Sequence, residues 1–499
     1  MYSGFPKKVN RLLLLILIIG LFFRLFRAVE LFGMGHEQDL QAWIIKDILV
    51  DKHPRLIGQE TSIHGVFIGP IYYYILIPFF AIFNLDPRAS IIPIALISIL
   101  TIVSVYYVFS KLFGKTTGLI GSFIYSTSLA IVFIDRWPVP TQTTFLWIIW
   151  YLYVLFSFLK KDFGKLPILV VLIAFIWHVH IAFLPLLIII PVVIFLSKKP
   201  LVKININKKN LYFSILIAFF LILPFIVFEA RHGFQQIKSI TRVYKEMEEG
   251  AIEGEYRLEV IIEQVDRVLN APIFEYKSPR IFQSEFKTPV MFLIFLGLVF
   301  YLVKVKELSK PQAFLIYFWI GDVIFSHYFS KRLLSEYYFN NLMIISVLVV
   351  SLFLAYLYKK KNFSFLVVSF LLLFLTYNFI RLVNVPTPKA EYEDKSAAVQ
   401  FIAGDVSENA YSCVSINYIG ALGVEYGYRY LFWRSGVEQV SPGNDIPVYS
   451  IVNPFEISAK EIEFRSGDLG VIPPAETDFD FEKCSDPSRQ LLPLNGFVN

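Results

Sequence analysis

The stretch GMGHEQDLQAWIIKDILVDKHPRLIGQETSIHGVFIGPIYYYIL, residues 33–76, is the part of the chain around which the fold is organised. It carries acidic and histidine side chains at a density that the surrounding apolar sequence does not have. It follows an apolar run, Leu12 to Phe32, that is long enough to cross a bilayer. The sequence therefore predicts a polar segment at a membrane surface, and we expect any chemistry of this protein there.

The composition is that of a polytopic membrane protein and not of a soluble globule. Of the 499 residues, 56% are hydrophobic, and the mean hydropathy is +0.59. The net charge of +6 comes from short Lys and Arg clusters between apolar runs, a pattern typical of cytoplasmic loops and not of a nucleic-acid-binding patch. Cys413 and Cys484 are too few for a multi-bridge framework, but they could pair if their compartment is oxidising.

The distribution of positive charge sets the predicted topology. Basic residues before the first apolar run place the N-terminus inside. We interpret the apolar run 65–83 as a helix lying in the outer interface, because this choice keeps the later basic loops inside. About eleven transmembrane helices result, with predicted ranges 12–32, 89–110, 117–134, 142–159, 166–179, 181–197, 211–229, 289–304, 311–329, 337–357 and 363–382.

Two domains are predicted. Residues 1–384 form an α-helical polytopic membrane domain, and residues 385–499 form a small extracytoplasmic α/β domain. Within the first domain, the outer loops 33–88 and 230–288 carry juxtamembrane helices on the outer surface. The elements predicted for the C-terminal domain are strands at 411–416, 447–451 and 469–472 and a helix at 396–403.

Glu37 and Asp39 are the candidates for a catalytic general base at the outer mouth of a cavity. The alternative is that both are helix N-terminal acids, since EQDLQAWIIKDIL is a plausible surface helix and carboxylates favour its first turn. Because they lie two residues apart on a helix, they point in different directions, and only one can face a given cavity well.

Other polar side chains at predicted outer positions are candidates for substrate binding. Asp135 and Arg136 either form a second polar wall of the same cavity or a satisfied interfacial pair. Arg24 either snorkels at the end of the first span or presents its guanidinium to a phosphate. The remaining candidates for substrate binding are His64, Tyr72, Tyr73, His178, His180, Arg231, His232, His327, Lys331, Arg332 and Tyr337.

Two patterns bear on ligands. His178 and His180 are spaced i, i+2, whereas two metal-binding histidines on a helix prefer i, i+4, so no metal site is predicted. The cluster SHYFSKRLLSEYYFNN, residues 326–341, places positive charge outside against the general bias, which favours an anion-binding role. The absence of a P-loop and of a GxGxxG motif argues against ATP or nicotinamide chemistry, and no cofactor is predicted.

The order of HEQDLQAW, GPIYYYIL and KLFGKTTG resembles that of the type C (GT-C) glycosyltransferases, in the protein O-mannosyltransferase and aminoarabinose-lipid A transferase superfamily. The resemblance runs over residues 10–380 and is strongest in the first 160. It implies a sugar donor linked through phosphate or pyrophosphate to a polyprenyl lipid and bound at the outer face. It also implies an outer-loop carboxylate that deprotonates the acceptor.

The sequence departs from the family pattern at three places. The family's first acid is usually Asp, and the matching position holds Glu37, so the resemblance does not decide between Glu37 and Asp39. The acid that often precedes a proline in the second outer loop is replaced by Val139, with Asp135 slightly earlier. The basic residue that some members place before the surface-helix proline is absent, and only His64 stands nearby, so phosphate binding would fall to other cations.

The predicted function is a membrane glycosyltransferase that moves a hexosyl or pentosyl group from a polyprenyl-phosphate donor to a lipid, glycan or protein acceptor, with inversion. A lipid phosphate is already a good leaving group, so one base and phosphate-binding cations suffice. The predicted location is the plasma (cytoplasmic) membrane with the active site facing outside. One alternative, a transporter or flippase of lipid-linked glycans, would need mid-span charges on several helices, and Asp322 is the main example. The other, a structural scaffold, leaves the polar outer loops unexplained.

Overall fold

The computed structural model describes residues 11–197, 206–243, 254–274, 289–330, 333–443, 445–458, 460–475 and 479–497. Contacts within these ranges divide the chain into two compact units. We call the first the helical unit; it consists of Met1–Phe26, Thr61–Pro70 and Ile92–Val385. We call the second the mixed unit; it consists of Arg27–Glu60, Ile71–Ile91 and Pro386–Asn499.

The described part of the chain is mainly helical. The first nine α-helices are α1 (Arg11–Leu25), α2 (His36–Leu49), α3 (Ile71–Ile82), α4 (Ile91–Phe113), α5 (Lys115–Thr127), α6 (Leu129–Arg136), α7 (Thr144–Leu159), α8 (Leu166–Val179) and α9 (Ile189–Ser197). The others are α10 (Lys208–Arg231), α11 (Gln235–Val243), α12 (Gly254–Asn270), α13 (Val290–Lys304), α14 (Lys310–Phe329), α15 (Asn341–Tyr358), α16 (Lys361–Val383), α17 (Tyr392–Glu408) and α18 (Arg429–Arg434).

Each predicted membrane span falls largely on helix, because a chain segment in lipid must satisfy its backbone hydrogen bonds internally. The first span is shorter than predicted, since α1 ends at Leu25 and not at Phe32, and residues 27–32 belong to the mixed unit. Within the described ranges, five helical segments are long and apolar enough to cross a bilayer. A sixth is counted if α5 and α6, which meet at a 64° bend, form one broken span. The fold class is confirmed, whereas the number of eleven crossings stays a prediction. The five segments are Pro87–Phe113, Pro140–Leu159, Lys208–Arg231, Glu336–Tyr358 and Lys361–Val383.

The core of the helical unit is a continuous apolar cluster. Helix α5 packs against α1 and α15, and α8 packs along α10. The amphipathic helix predicted in the loop 230–288 is present as α12, which buries Ile261, Val265 and Leu269 and packs against α13, α14 and α15. The apolar face of α12 is therefore part of the core of the helical unit.

The mixed unit is built on a four-stranded sheet of strands β1 (Ser415–Gly420), β2 (Val448–Asn453), β3 (Phe464–Ser466) and β4 (Leu469–Ile472). The strand order is β1-β2-β4-β3, with β1 and β2 parallel and the other pairs antiparallel. Helix α17 packs on β3 and β4. The α/β character is confirmed, although β1 begins four residues after the predicted start at 411.

The mixed unit also contains α2 and α3, which the sequence assigned to the membrane domain. The predicted boundary at 384/385 lies one residue from a break between the units, but segments 27–60 and 71–91 group with the C-terminal residues. The physical reason is a shared core, in which Leu40, Ile44 and Tyr73 pack in one cluster with Tyr430 and Phe432.

Cys413 and Cys484 form a disulfide across 71 residues, with their Cα atoms 5.8 Å apart. The sequence left this pairing open. The bond joins the 3-10 helix Phe481–Ser485, which contains Cys484, to the segment just before β1.

Candidate functional site

The two acidic side chains in the first turn of α2 lie in different surroundings within the mixed unit. Gly35 precedes the helix, and its N–H donates to the side-chain oxygen of Gln38 at 3.0 Å. Glu37 and Asp39 both lie in the first turn, where carboxylates are favourable. At about 100° per residue, they point in directions about 200° apart.

Asp39 holds the start of α18. Its carboxylate oxygens accept hydrogen bonds from the backbone N–H of Tyr430 at 2.8 Å and of Arg429 at 3.2 Å. These are among the first N–H groups of a helix, which have no partner inside the helix itself. The side chain is 2% exposed, and burial raises the pKa of the Asp39 carboxyl to about 6 against the opposing effect of the two hydrogen bonds.

Glu37 is half-buried and lies near two tyrosines of α3. Tyr72 and Tyr73 are buried, which raises the pKa of both phenols above the ordinary value, and the charge of Glu37 acts in the same direction. The structure therefore brings together three residues that the sequence singled out, Glu37, Tyr72 and Tyr73. It places Asp39 apart from them, toward the C-terminal residues.

Two buried glutamine amides lie on the same helix as Glu37. Tyr72 donates to Oε1 of Gln41 at 2.9 Å, and Gly35 donates to Oε1 of Gln38. Because each carbonyl oxygen is fixed in this way, each Nε2 points elsewhere, and neither has a hydrogen-bond partner among the described residues. Both side chains are 1% exposed, and a buried donor without a partner costs about 1–3 kcal/mol.

The tyrosine and the loop beside this face are held by further hydrogen bonds. The hydroxyl of Tyr73 donates to Oε1 of Gln59 at 2.9 Å and accepts from the backbone N–H of the same residue at 3.2 Å. Arg55, which is buried, pairs with Asp47 at 2.8 Å and lies over the ring of Phe497. These contacts fix the segment that follows α2.

Arg24 and Asp135 form a buried ion pair in the helical unit. Arg24 Nη2 lies 2.6 Å from Asp135 Oδ2, and the hydroxyl of Tyr125 donates to the other carboxylate oxygen at 2.9 Å. The same guanidinium also donates to the backbone carbonyl oxygens of Tyr125 and Ser126. All its nitrogens are engaged by the protein, which favours the structural alternative for both residues.

Arg136 and His178 bind backbone of the helical unit. Arg136 donates to the carbonyl oxygens of Phe23 and Phe26 at the end of α1 and just after it. The Nε2 of His178 lies 2.9 Å from the carbonyl oxygen of Leu221, and the ring packs on Gly69. A Cβ at Gly69 would come within 2.0 Å of His178 Nδ1, so this close approach requires glycine.

A second group of predicted residues meets in an aromatic cluster of the helical unit. The ring of His180 lies 5.2 Å from that of Tyr337 and 5.5 Å from that of Tyr338. The ring of His327 lies 5.6 Å from that of Tyr338, and Arg257 of α12 donates to its backbone carbonyl at 2.9 Å. Both histidines are buried.

The other candidates are separate from these groups. His64, Arg231 and His232 are exposed, and the ring of His232 stacks on Phe228. Lys331 and Arg332 lie outside the described residues. Within the described ranges, no three His, Cys, Asp or Glu side chains are grouped so that they could hold a metal ion.

Sequence reasoning missed Gln38 and Gln41, two buried amides on the helix that also carries Glu37. Their spacing of three residues on an amphipathic helix places them on one face, and this signal was available. Their lack of partners was not, because it depends on residues from α3 and on the chain before α2. Arg257 was also missed as a polar residue of the core.

Comparison with known proteins adds a family and a fold. Residues 67–228 match the family model described as dolichyl-phosphate-mannose-protein mannosyltransferase. No curated protein matches the sequence. Two solved structures of ArnT from Cupriavidus metallidurans, one bound to undecaprenyl phosphate and one in the apo state, are similar to this chain. Their TM-scores are 0.57 and 0.58 at 10% and 9% identity, over 93% of this chain and 98% and 97% of theirs.

The Archaeoglobus fulgidus oligosaccharyltransferase, tethered with an acceptor peptide containing the NVT sequon, is also similar, with a TM-score of 0.53 at 13% identity. This likeness covers 90% of the chain and 69% of the archaeal protein. At these identities the structural likeness establishes the fold, and the family match is confined to residues 67–228. The fold is therefore that of the type C membrane glycosyltransferases, which confirms the resemblance drawn from the sequence.

Proposed function

We propose that this protein transfers a sugar from a polyprenyl-phosphate donor to an acceptor outside the cytoplasm, with inversion at the anomeric carbon. The observation that carries the proposal is that α2 combines the half-buried Glu37 with two buried amide donors, Gln38 and Gln41, that have no partners among the described residues. Undecaprenyl phosphate is bound in one of the similar ArnT structures, and this supports a lipid-phosphate donor here.

Glu37 acts as the general base in this proposal. It is only half-buried, so an acceptor hydroxyl can reach it, and it lies near Tyr72 and Tyr73. Asp39 is a weaker candidate for the base, because its carboxylate already accepts hydrogen bonds from two backbone N–H groups and its side chain is buried. Asp39 then acts as a positioning residue for α18.

The reaction balances without a general acid. Glu37 takes the proton of the acceptor hydroxyl while that oxygen forms a bond to the anomeric carbon of the sugar. The bond between the anomeric carbon and the phosphate oxygen breaks, and the polyprenyl phosphate leaves with the electron pair. Attack from the face opposite the phosphate inverts the anomeric carbon. The amide N–H groups of Gln38 and Gln41 would donate to sugar hydroxyls or phosphate oxygens.

Positive charge for the leaving phosphate remains to be supplied. Arg24 is engaged by Asp135 and by carbonyl oxygens, so we assign this role to the cations of the 326–341 cluster, among them Lys331 and Arg332. Arg332→Ala is then expected to weaken donor binding more than the rate at saturating donor.

The test is transfer from a short-chain polyprenyl-phosphate sugar to acceptors extracted from the native envelope. Glu37→Gln should lower the rate by about 10²–10⁴ while the melting temperature stays near wild type, since a half-buried side chain is changed without loss of volume. The matched control is Glu393→Gln, which changes an exposed acid in the first turn of α17 of the same unit. Full transfer by Glu37→Gln with a cognate donor would contradict the assignment.

The plasma membrane and an outward-facing active site are part of the proposal. They predict that Gly164, in a loop between α7 and α8, is inside and that Ser435, just after α18, is outside. Both positions are exposed, and the native cysteines are paired and can be kept. An impermeant thiol reagent on intact cells should label Ser435→Cys and spare Gly164→Cys. The reverse labelling would place the site on the cytoplasmic side.

A further inference from the structure

The mixed unit contains a cavity of about 250 Å³ on the Asp39 side of α2. The residues around it come from the start of α2, from β1, from residues 425–429 at the start of α18, from the segment 439–442 after α18 and from the C-terminal chain 491–495. Ligand pockets for drug-sized molecules measure roughly 300–1,000 Å³, so this cavity has room for one ring-sized group. The proposed reaction does not use it, because Glu37 does not line it.

The lining combines an apolar surface with hydrogen-bonding groups. Ile416, Val440 and Leu494 provide the apolar part. Tyr418 and Gln439 provide a hydroxyl and an amide, and both are half-buried. Small-molecule sites are commonly built in this way, from apolar walls and a few polar groups that fix the orientation of the ligand.

Aromatic and charged groups lie at the same cavity. Tyr426 is 43% exposed, and its ring lies 5.0 Å from that of His36, so an aromatic surface is open to a ligand. Arg429 is held in place, since its guanidinium donates to the carbonyl oxygens of Leu491 and Leu492.

The charges exclude several ligand classes. Asp39 and Glu425 oppose an anion, and Arg429 opposes a cation. The amide of Gln439 and the hydroxyl of Tyr418 are hydrogen-bonded to each other, and a wholly apolar ligand would cover their remaining donors and acceptors and deprive these of water. A neutral group with an apolar face and a rim of hydroxyls fits all these surroundings, and that is the chemistry of a sugar ring.

We propose that this cavity binds one neutral saccharide unit of the acceptor. The inference rests on the proposed function, and it narrows the acceptor class to a glycan or a glycosylated molecule. Tyr426 packs on the apolar face of the ring, and Gln439 and Tyr418 bond to its hydroxyls. Helix α2 carries both Asp39, which lines the cavity, and Glu37, the proposed base. This one helix therefore fixes the position of the base relative to the bound saccharide.

The test measures binding of methyl glycosides of neutral hexoses and pentoses to the full-length protein in detergent, by saturation-transfer NMR. Methyl glucuronide and methyl glucosaminide are the charged counterparts. Wild type should bind at least one neutral glycoside and neither charged one. Gln439→Leu and Tyr426→Ala should each weaken binding roughly tenfold, as expected for the loss of a hydrogen bond or a stacking surface. Gln400→Leu, at an exposed position on α17, is the matched control and should not change binding.

Each outcome decides the proposal. No signal from any neutral glycoside in wild type overturns it, as does preferential binding of a charged glycoside or unchanged binding in both cavity variants. If one variant fails to fold, the other still serves. Failure of the transfer reaction is distinguishable, because Glu37→Gln should bind the glycoside as wild type does. If Glu37→Gln loses transfer but wild type binds no saccharide, the proposed transferase function stands and the proposed saccharide site is wrong.

Discussion

The buried ion pair of the helical unit and the Glu37 face of the mixed unit are both polar regions with little exposure, but they differ in hydrogen bonding. Around Arg24 and Asp135, the guanidinium nitrogens and both carboxylate oxygens have partners. On α2, the Nε2 atoms of Gln38 and Gln41 have none among the described residues. A buried polar group with a structural role normally has its hydrogen-bond partners within the protein. A buried donor without a partner destabilises the fold unless a ligand accepts its hydrogen bond.

The largest effect is expected from breaking the ion pair. Arg24→Ala leaves the Asp135 carboxylate buried without its counter-charge, and the loss of a partner in a buried pair costs about 3–5 kcal/mol. The midpoint of unfolding in denaturant, measured in detergent, should therefore fall clearly. The double variant Arg24→Met/Asp135→Leu should recover part of that loss, since it leaves no buried charge. A wild-type midpoint for Arg24→Ala would show that this region is not structural.

Loss of the Cys413–Cys484 bond should have the next largest effect on stability. Both cysteines lie in the mixed unit, so we expect the loss of stability there. Cross-links of this kind stabilise by about 2–4 kcal/mol, because they restrict the unfolded chain. Cys413→Ser/Cys484→Ser should lower the temperature at which the mixed unit becomes sensitive to protease. Cleavage between α4 and α16 at the wild-type temperature is the internal control. Equal sensitisation of both units would contradict a local effect.

Asp39→Asn should destabilise by about 1–3 kcal/mol, because an amide offers one acceptor oxygen to two N–H groups. The folded-state pKa of Asp39, about 6, lies above its ordinary value of 3.8. The contribution of this group to stability is therefore fully present below the ordinary pKa and is lost as the pH rises through about 6. Melting of both proteins at about pH 5 and about pH 7.5 should show a larger wild-type advantage at the lower pH. A pH-independent difference would mean that Asp39 does not titrate in this way.

The smallest effect on stability is expected on the Glu37 face. Gln38→Met/Gln41→Met removes two buried donors without partners, but it also removes the oxygens that accept from Gly35 and Tyr72. Two donors without partners are replaced by two others, so the melting temperature should stay near that of wild type. Donor affinity should fall roughly tenfold for each hydrogen bond lost to a ligand. Gln400→Met is the control for the chemical change at an exposed position. A marked fall in melting temperature with unchanged donor affinity would make this face structural, like the ion pair.

The sequence by itself determined the helical ranges and the change of character near residue 385. An apolar run of bilayer length satisfies its backbone hydrogen bonds as a helix. The spans predicted from residue 89 onward therefore agree closely with observed helices, whereas the first span was predicted to end at Phe32 and α1 ends at Leu25. The alternation of short β-like runs with turns in the C-terminal region likewise predicted three of the four strands. The first strand lies four residues later than predicted, and β3 was not predicted.

Only the tertiary structure decided what each polar residue does. The helical period places Glu37 and Asp39 on different sides of α2, but the neighbours on each side come from elsewhere in the chain. Asp39 meets Tyr430, 391 residues away, and Arg24 meets Asp135, 111 residues away. A local pattern fixes the direction of a side chain through the geometry of the helix. Packing between distant segments decides whether that side chain has a hydrogen-bond partner within the protein. A side chain with such a partner has a structural role, and one without can bind a ligand.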